Sequence, residues 1–314
     1  MNLFNINTLW VFISGNDEDR FIGDIRFGLG VLKSKGVEAK NIKIFIDGEK
    51  NLIHARFGKE LISCKVLPIS SLEEELYKKD YENVVLFTTG HGNEFGLAGS
   101  NFISPYKLLE IIRAIPSLKR GLFVIGQCYA GIFNHIEAKP KDTNLAELCI
   151  LGSTGFSPSL SSSAYIEEQI PVKLKDLYNL EKWLANVFLF YFFLWLYEPK
   201  DIDGNGELTV MDAFKFASIK TNEHLNKMKT ERSYDFPSIV KDYSNFFNSL
   251  SKIYPDLESH PDDLHQLFRD HLQFQVASEK EKIDEFISIL YMNQEPFICN
   301  SWFAQELKFE TLIK

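Results

Sequence analysis

Two stretches, Gly121-Leu-Phe-Val-Ile-Gly-Gln-Cys-Tyr-Ala-Gly-Ile-Phe133 and the upstream Val84-Val-Leu-Phe-Thr-Thr-Gly-His-Gly92, repeat one pattern. Each begins as a short unbroken apolar run, which is how a strand covered on both faces of a parallel sheet reads. Each ends in glycines around one reactive side chain, Cys128 in the later stretch and His91 in the earlier. The carboxyl ends of strands in an open parallel sheet border the ligand crevice, so neighbouring strands of this kind bring an imidazole and a thiol together. A free thiol titrates near ~8.5 and reacts as the thiolate, and a nearby histidine with strand-end amides supplies what that chemistry needs at neutral pH. A strand cysteine taken alone is ordinarily core packing. A core cysteine, however, has no need of Gly90, Gly92, Gly126 and Gly131, which permit tight turns and close backbone approach by a substrate.

Upstream of these strands the chain opens as a βαβ unit. Leu9 to Ile13 reads as a strand, and Ser14 to Asp17 as its exit loop. The helical spacing of Ile22, Ile25, Leu29 and Leu32 ends at Gly36, and Ile42 to Ile46 reads as a second strand. Leu52 to Phe57 fits a minor strand or hairpin arm. A Ser70-Ser71 cap starts a helix ahead of Val84, and Ser104-Pro105 opens a helix through Leu108, Leu109, Ile112 and Ile115. That crossover makes the His91 and Cys128 strands parallel and adjacent. Leu148 to Leu151 reads as a further strand.

Thr-Gly-His-Gly followed by Gln-Cys-Tyr-Ala-Gly resembles the His-Gly and Cys-x-x-Gly motifs of the caspase-like clan of cysteine peptidases. Cys128-Tyr129-Ala130-Gly131 places two residues between cysteine and glycine, as in the legumain-like family and its bacterial relatives, rather than the one of the caspase signature. The opening helix is also similar to that family, with Asn16, Arg20, Asp24 and Gly36 at the matching positions. The resemblance covers roughly the first 220 residues. It implies a three-layer caspase-like α/β sandwich with a mainly parallel sheet. By it Asn16 would orient the catalytic His91, and Arg20 would line the pocket for the residue before the scissile bond. The loop from Ser153 to Ser163, including Ser161, would form a pocket wall. Gly126 stands where the family carries an acidic pocket residue. A guanidinium with few acidic partners favours cleavage after Asp or Asn, Asp ahead. An acid restored from Glu167 or Glu168 would favour Asn. Amides near Gly92 and Cys128 would hold the oxyanion of a thiol-catalysed acyl transfer. A thiol-dependent transpeptidase or acyltransferase would use the same residues, and a degenerate peptidase fold used only for binding would have the dyad out of register.

Leu184 to Tyr197 is the most apolar segment, too short for the ~20 residues of a membrane span and read as a buried helix. It leads into Asp201-Ile-Asp203-Gly-Asn205-Gly-Glu207-Leu-Thr-Val-Met-Asp212, which follows the EF-hand pattern of alternate oxygen ligands. Asp212 stands where a bidentate glutamate usually sits, making this a candidate Ca²⁺ loop, while no cofactor is required by the thiol chemistry. The other reading of these carboxylates is as caps of the following helix.

From residue 221 to 314 apolar residues recur at helical intervals, Phe236 to Leu250, Leu264 to Leu272 and Ile283 to Leu290, which reads as a helical extension that could bind a regulator. His224, His260, His265 and His271 within it lack bracketing cysteines or carboxylates and read as surface residues. The 314-residue chain has length for a large core, and its net charge of -9 without a basic run argues against nucleic acid or anionic lipid as partner. The four cysteines, Cys64, Cys128, Cys149 and Cys299, form neither a disulfide framework nor a close-spaced zinc pattern and suit a reducing compartment. With no basic segment before a long apolar stretch at the start, the expected location is cytoplasmic and the expected partner a protein or peptide substrate.

Overall fold

The computed structural model describes residues 2–5, 7–57, 64–77, 80–99, 102–142, 144–180, 182–258, 277–278, 280–281, 283–284 and 287–309. The chain divides into two units, residues 1–222 with 294–314, and residues 223–293. In the first unit β1 (Thr8–Ser14) leads into α1 (Asp19–Ser34), β2 (Ile42–Ile46), α2 (Lys50–Phe57), β3 (Val66–Leu67), α3 (Leu72–Tyr77) and β4 (Asn83–Thr89). A short hairpin, β5 (Gly92–Asn93) and β6 (Gly96–Leu97), precedes α4 (Pro105–Arg113), β7 (Arg120–Ile125), a 3-10 turn (Ala130–His135) and β8 (Glu147–Gly152). The chain continues through β9 (Ser161–Ser162), α5 (Ile166–Gln169), α6 (Val172–Tyr178), β10 (Ala185–Asn186) and α7 (Val187–Tyr197). Helix α8 (Val210–Glu258) starts in the first unit and runs into the second, and β11 (Phe297–Cys299) with the helix Ser301–Glu306 belongs to the first again.

Seven strands form the central sheet in the order β11-β8-β7-β4-β1-β2-β3. All neighbours are parallel except β11, which runs antiparallel to β8. The fold is thus α/β with a mainly parallel sheet. Strand order changes direction between β1 and β4, and their carboxyl ends there carry the Asn16 to Arg20 segment and His91.

Strands β1 and β4 are buried at every residue, as their unbroken apolar runs require. Leu9, Val11 and Ile13 point to the face where Leu72 and Leu76 of α3 and Leu108 and Ile112 of α4 pack. The alternate residues Trp10 and Phe12 point to the opposite face, where α1 and α7 lie. There the Phe87 ring lies 5.2 Å from Phe12 and 4.7 Å from Phe193, and Phe27 of α1 stacks on Phe190 of α7 at 5.0 Å. Gly28 is the close-approach point of this aromatic layer, since an added Cβ would stand 2.7 Å from Phe193 and 2.8 Å from Phe12. Helix α7 is buried nearly all round, as its apolar sequence anticipates, and Asn186 caps it by accepting from Leu189 N at 3.0 Å. No helix among the described residues is long and apolar enough to cross a membrane.

Three sequence expectations are corrected. Leu52 to Phe57 belongs to helix α2 and is neither strand nor hairpin arm; the buried residues Ile53 and Phe57 stand four apart, a helical and not an alternating period. The helical region does not run from 221 to the end, because residues 294–314 rejoin the first unit, with Phe297 opposite Gly152 and Cys299 opposite Ile150. His224 is buried rather than superficial, and burial, reinforced by the Lys227 charge, pushes its imidazole pKa down to about 4. Described parts of residues 223–293 are helical through Glu258 and again at 277–278, 280–281, 283–284 and 287–291, whereas Leu264, Leu267, Phe268, Leu272, Phe286, His260, His265 and His271 lie outside the described residues.

Phe87→Ala is expected to lower unfolding free energy by about 3–5 kcal/mol, because it opens a cavity among the four rings that pack on Phe87 of β4, the strand leading to His91. The midpoint of urea denaturation, followed by tryptophan fluorescence, measures it.

Candidate active site

Strands β4 and β7 pair in parallel with Thr88 opposite Ile125, so His91 and Cys128 each follow three residues after the last matched pair. Gly126 N donates to Thr88 O at 3.0 Å and carries the ladder one step beyond. The two exit loops then pack directly on each other. A Cβ on Gly92 would stand 2.3 Å from the Cys128 carbonyl oxygen, so only glycine fits beside that peptide. Immediately after Cys128 the chain turns sharply, and Tyr129 takes left-handed φ and ψ of 57° and 31°. A side chain there costs on the order of 1 kcal/mol. The turn is held by Tyr129 N donating to Ser157 O at 2.9 Å and Gly131 N donating to Gly155 O at 3.0 Å.

The half-buried thiol of Cys128 accepts a hydrogen bond from Ser159 N at 3.3 Å. Ser153 lies behind it, fully buried, donating to the carbonyls of Gly126 at 3.1 Å and Gln127 at 3.4 Å. Its hydroxyl therefore braces the turn from inside. Ser159 Oγ donates to Ser153 Oγ at 2.9 Å and accepts from Asn186 Nδ2 at 2.9 Å, while Ser161 pairs with Asn186 across the β9–β10 ladder. The serine-rich segment is thus an ordered loop bonded around the thiol.

Beyond the end of β4, His91 Nε2 lies 2.7 Å from Glu18 Oε1 and 3.1 Å from Arg20 Nη2, and Arg20 Nε donates to Glu18 Oε2 at 2.8 Å. Phe21 meets the imidazole edge-on at 5.3 Å and lies 4.4 Å beneath the guanidinium. Asn16 was expected at the histidine. It stands one bond further out, its Nδ2 donating to the same Glu18 Oε1 at 3.2 Å, and its buried Oδ1 has no partner among the described residues. Partial burial pushes Glu18 up, but hydrogen bonds from His91 and Arg20 and the guanidinium charge outweigh it and hold the carboxyl below its ordinary range. Arg20 thus has an acidic partner in Glu18, while Glu167 is exposed on α5. No acid could stand at position 126, where a Cβ would meet Leu189 Cδ1 at 2.4 Å and Thr88 O at 2.7 Å.

A second carboxyl ties the two sides together. Asp24 is buried in α1 and accepts from Thr89 Oγ1 at 2.7 Å, Trp183 Nε1 at 2.9 Å and Asn186 N at 3.0 Å. Burial nevertheless pushes its pKa up to about 6, against those three donors and the Arg20 charge. Sequence reasoning placed Asp24 in a family motif without a role and missed Glu18. The available signals were an acid on the otherwise buried face of α1 and an acid two residues before Arg20.

Away from His91 and Cys128, Asp201, Asp203 and Asp212 bring one carboxylate oxygen each within 4.8 Å of one another. Protein donors occupy the same groups. Asp201 accepts from Gly204 N and Gly206 N, both at 2.7 Å, Asp212 from Ile202 N at 2.9 Å and Thr209 Oγ1 at 2.6 Å, and Lys215 pairs with Asp203 at 2.8 Å. Asn205 Oδ1 accepts from Glu207 N at 2.8 Å, and Glu207 pairs with Lys308. Asp212 is also buried in the first turn of α8, as a helix-capping acid would be. Compared with protein-family models and with curated proteins, the chain matches none.

The Asp24 carboxyl carries a defined pH signature. Its native pKa of about 6 lies above the ordinary 3.8, so the folded state holds the proton more tightly than the unfolded chain. Its contribution is most favourable below pH 4 and is lost as pH rises through about 6. Relative to Asp24→Asn, the wild type is expected to lose about 3 kcal/mol across that window, roughly two pK units at 1.36 kcal/mol each. Denaturation midpoints of both proteins from pH 4 to 7 check it; parallel curves would refute it.

Proposed function

We propose that the protein is a cysteine endopeptidase with a His91–Cys128 dyad. The observation that supports this reading is the parallel pairing of β4 and β7, from which His91 and Cys128 each lie three residues past the last matched pair. In this reading Cys128 Sγ attacks the scissile carbonyl carbon, and His91 protonates the departing amine as the C–N bond breaks. Water then attacks the thioester, giving up a proton to the imidazole, and releases the acid and the thiol. The amides of Gly92 and Cys128 donate to the oxyanion, a contribution of about 2.7–4 kcal/mol for one such donor in acyl transfer.

Arg20 with Glu18 beside it defines the proposed specificity. A pocket presenting a guanidinium and a carboxylate matches a side chain that is both acceptor and donor, so Asn is preferred to Asp, and Lys and Arg are disfavoured. Expected results on matched peptides are cleavage after Asn ahead of Asp, no cleavage by Cys128→Ala, and a loss of ~10²-fold or more in kcat/KM for His91→Ala. Arg20→Ala should erase the discrimination. Preference for Arg, or full discrimination retained without Arg20, would overturn the pocket assignment.

We further propose Ca²⁺ as an accessory ligand of the 201–212 loop, supported by the three converging carboxylates. The ion would have to displace Lys215 from Asp203, so binding is weak, in the ~10⁻⁴–10⁻³ M range of low-affinity sites. Calorimetric titration of chelator-treated protein should give heat in that range, absent in Asp203→Ala; no heat at millimolar Ca²⁺ would leave the carboxylates as caps.

A further inference from the structure

The peptide group between Pro158 and Ser159 is engaged at both ends. Its N–H, on Ser159, donates to Cys128 Sγ at 3.3 Å. Its carbonyl, on Pro158, accepts from Gln294 Nε2 at 3.0 Å, and Gln294 Oε1 in turn accepts from Leu160 N at 3.1 Å. One side-chain amide thus grips the loop on both sides of Ser159 and fixes the plane of the peptide that faces the thiol. Gln294 is buried, 5% exposed, and is the first residue of the carboxyl-terminal segment that rejoins the sheet through β11. Behind the loop, Val187 N donates to Leu160 O at 3.0 Å, so Leu160 is bonded through both its N–H and its carbonyl.

Hydrogen bonds in series polarise one another, and a carbonyl that accepts makes the N–H of its own peptide a stronger donor. A stronger donor at sulfur favours the thiolate over the thiol. We propose that Gln294 is a positioning residue for Cys128, setting the reactivity of its thiol through the Pro158–Ser159 peptide. The inference rests on Cys128 being the nucleophile of the proposed peptidase, but its test reads the thiol itself. Among the described residues, His91 precedes Gly92, which packs on the Cys128 peptide, and Glu295 Oε2 would stand 3.5 Å from a Cβ on Gly155. The variants below leave both in place.

The experiment follows the rate of alkylation of Cys128 by iodoacetamide as a function of pH, with peptide mapping to isolate that cysteine, in wild type, Gln294→Ala and Gln294→Glu. The glutamate keeps an acceptor for Leu160 N and removes the donor to Pro158 O. Expected is a rise in the midpoint of the profile of about half to one pH unit in both variants, with a ~3–10-fold slower reaction at neutral pH. A profile superimposable on wild type in either folded variant overturns the proposal. So does a shift confined to Gln294→Ala, which would assign the effect to the Leu160 anchor alone. Near-UV circular dichroism reports folding. If neither variant folds, wild-type NMR decides: alkylation of Cys128 must shift both the Ser159 amide and the Gln294 side-chain amide, and an unmoved Gln294 amide overturns the proposal. A wild type with the expected thiol behaviour but no peptide cleavage would remove the peptidase reading and leave this one standing.

Discussion

The parallel pairing of β4 with β7 is the constraint on which the candidate site depends. Two buried strands locked by Thr88 opposite Ile125 have no freedom to slide, since a one-residue slip would turn every side chain of one strand to the other face. Their exits must therefore leave the sheet side by side. The glycine at position 92 lets the second loop lie against the Cys128 carbonyl, and the left-handed Tyr129 turns the chain away at once. Backbone strain is tolerated there because the Ser157 and Gly155 carbonyls hold the turn from the next loop.

That next loop is itself held from three directions, which makes the site a property of the whole first unit. Asp24 binds α1 to the end of β4 through Thr89 and to the 183–186 segment through Trp183 and Asn186. Asn186 caps α7 and reaches Ser159, and Gln294 grips the loop from the carboxyl-terminal segment. Each of these polar side chains is buried, and each would cost about 1–3 kcal/mol if left unpaired, so they specify one arrangement of the loop rather than merely adding stability. The aromatic layer of Phe12, Phe87 and Phe193 supplies the rigid floor on which this network rests.

Much of this was legible in the sequence where one physical rule dominates. Unbroken apolar runs marked β1, β4, β7 and β8, and the apolar run at 184–197 marked α7, because complete burial leaves no alternation to misread. The short segment at 52–57 misled because two buried residues, Ile53 and Phe57, give too few points to separate a period of two from one near four. β11 was invisible for a different reason: three residues, Phe297 to Cys299, form a strand only because β8 offers an unpaired edge far away in the chain. Near the candidate site the paired strands that lead to His91 and Cys128 were readable from local pattern. Glu18, Asp24 and Gln294 were not, since their importance lies in partners 73, 65 and 134 residues distant.

The charge arrangement at His91 follows from the number of protons an imidazole nitrogen can carry. Nε2 has two neighbours, a carboxylate oxygen at 2.7 Å and a guanidinium nitrogen at 3.1 Å, but it either donates or accepts. With a proton on Nε2 the bond goes to Glu18, and the guanidinium is balanced by its own bond to Glu18 Oε2 at 2.8 Å. Without that proton the lone pair faces a carboxylate whose charge opposes it. Glu18, held ionised below the ordinary carboxylate range, therefore favours the tautomer that carries its proton on Nε2. All three groups are partly exposed, with side-chain accessibilities of 27% for Arg20, 44% for Glu18 and 48% for His91, so water screens the pairing and its strength comes from hydrogen-bond geometry more than from bare charge.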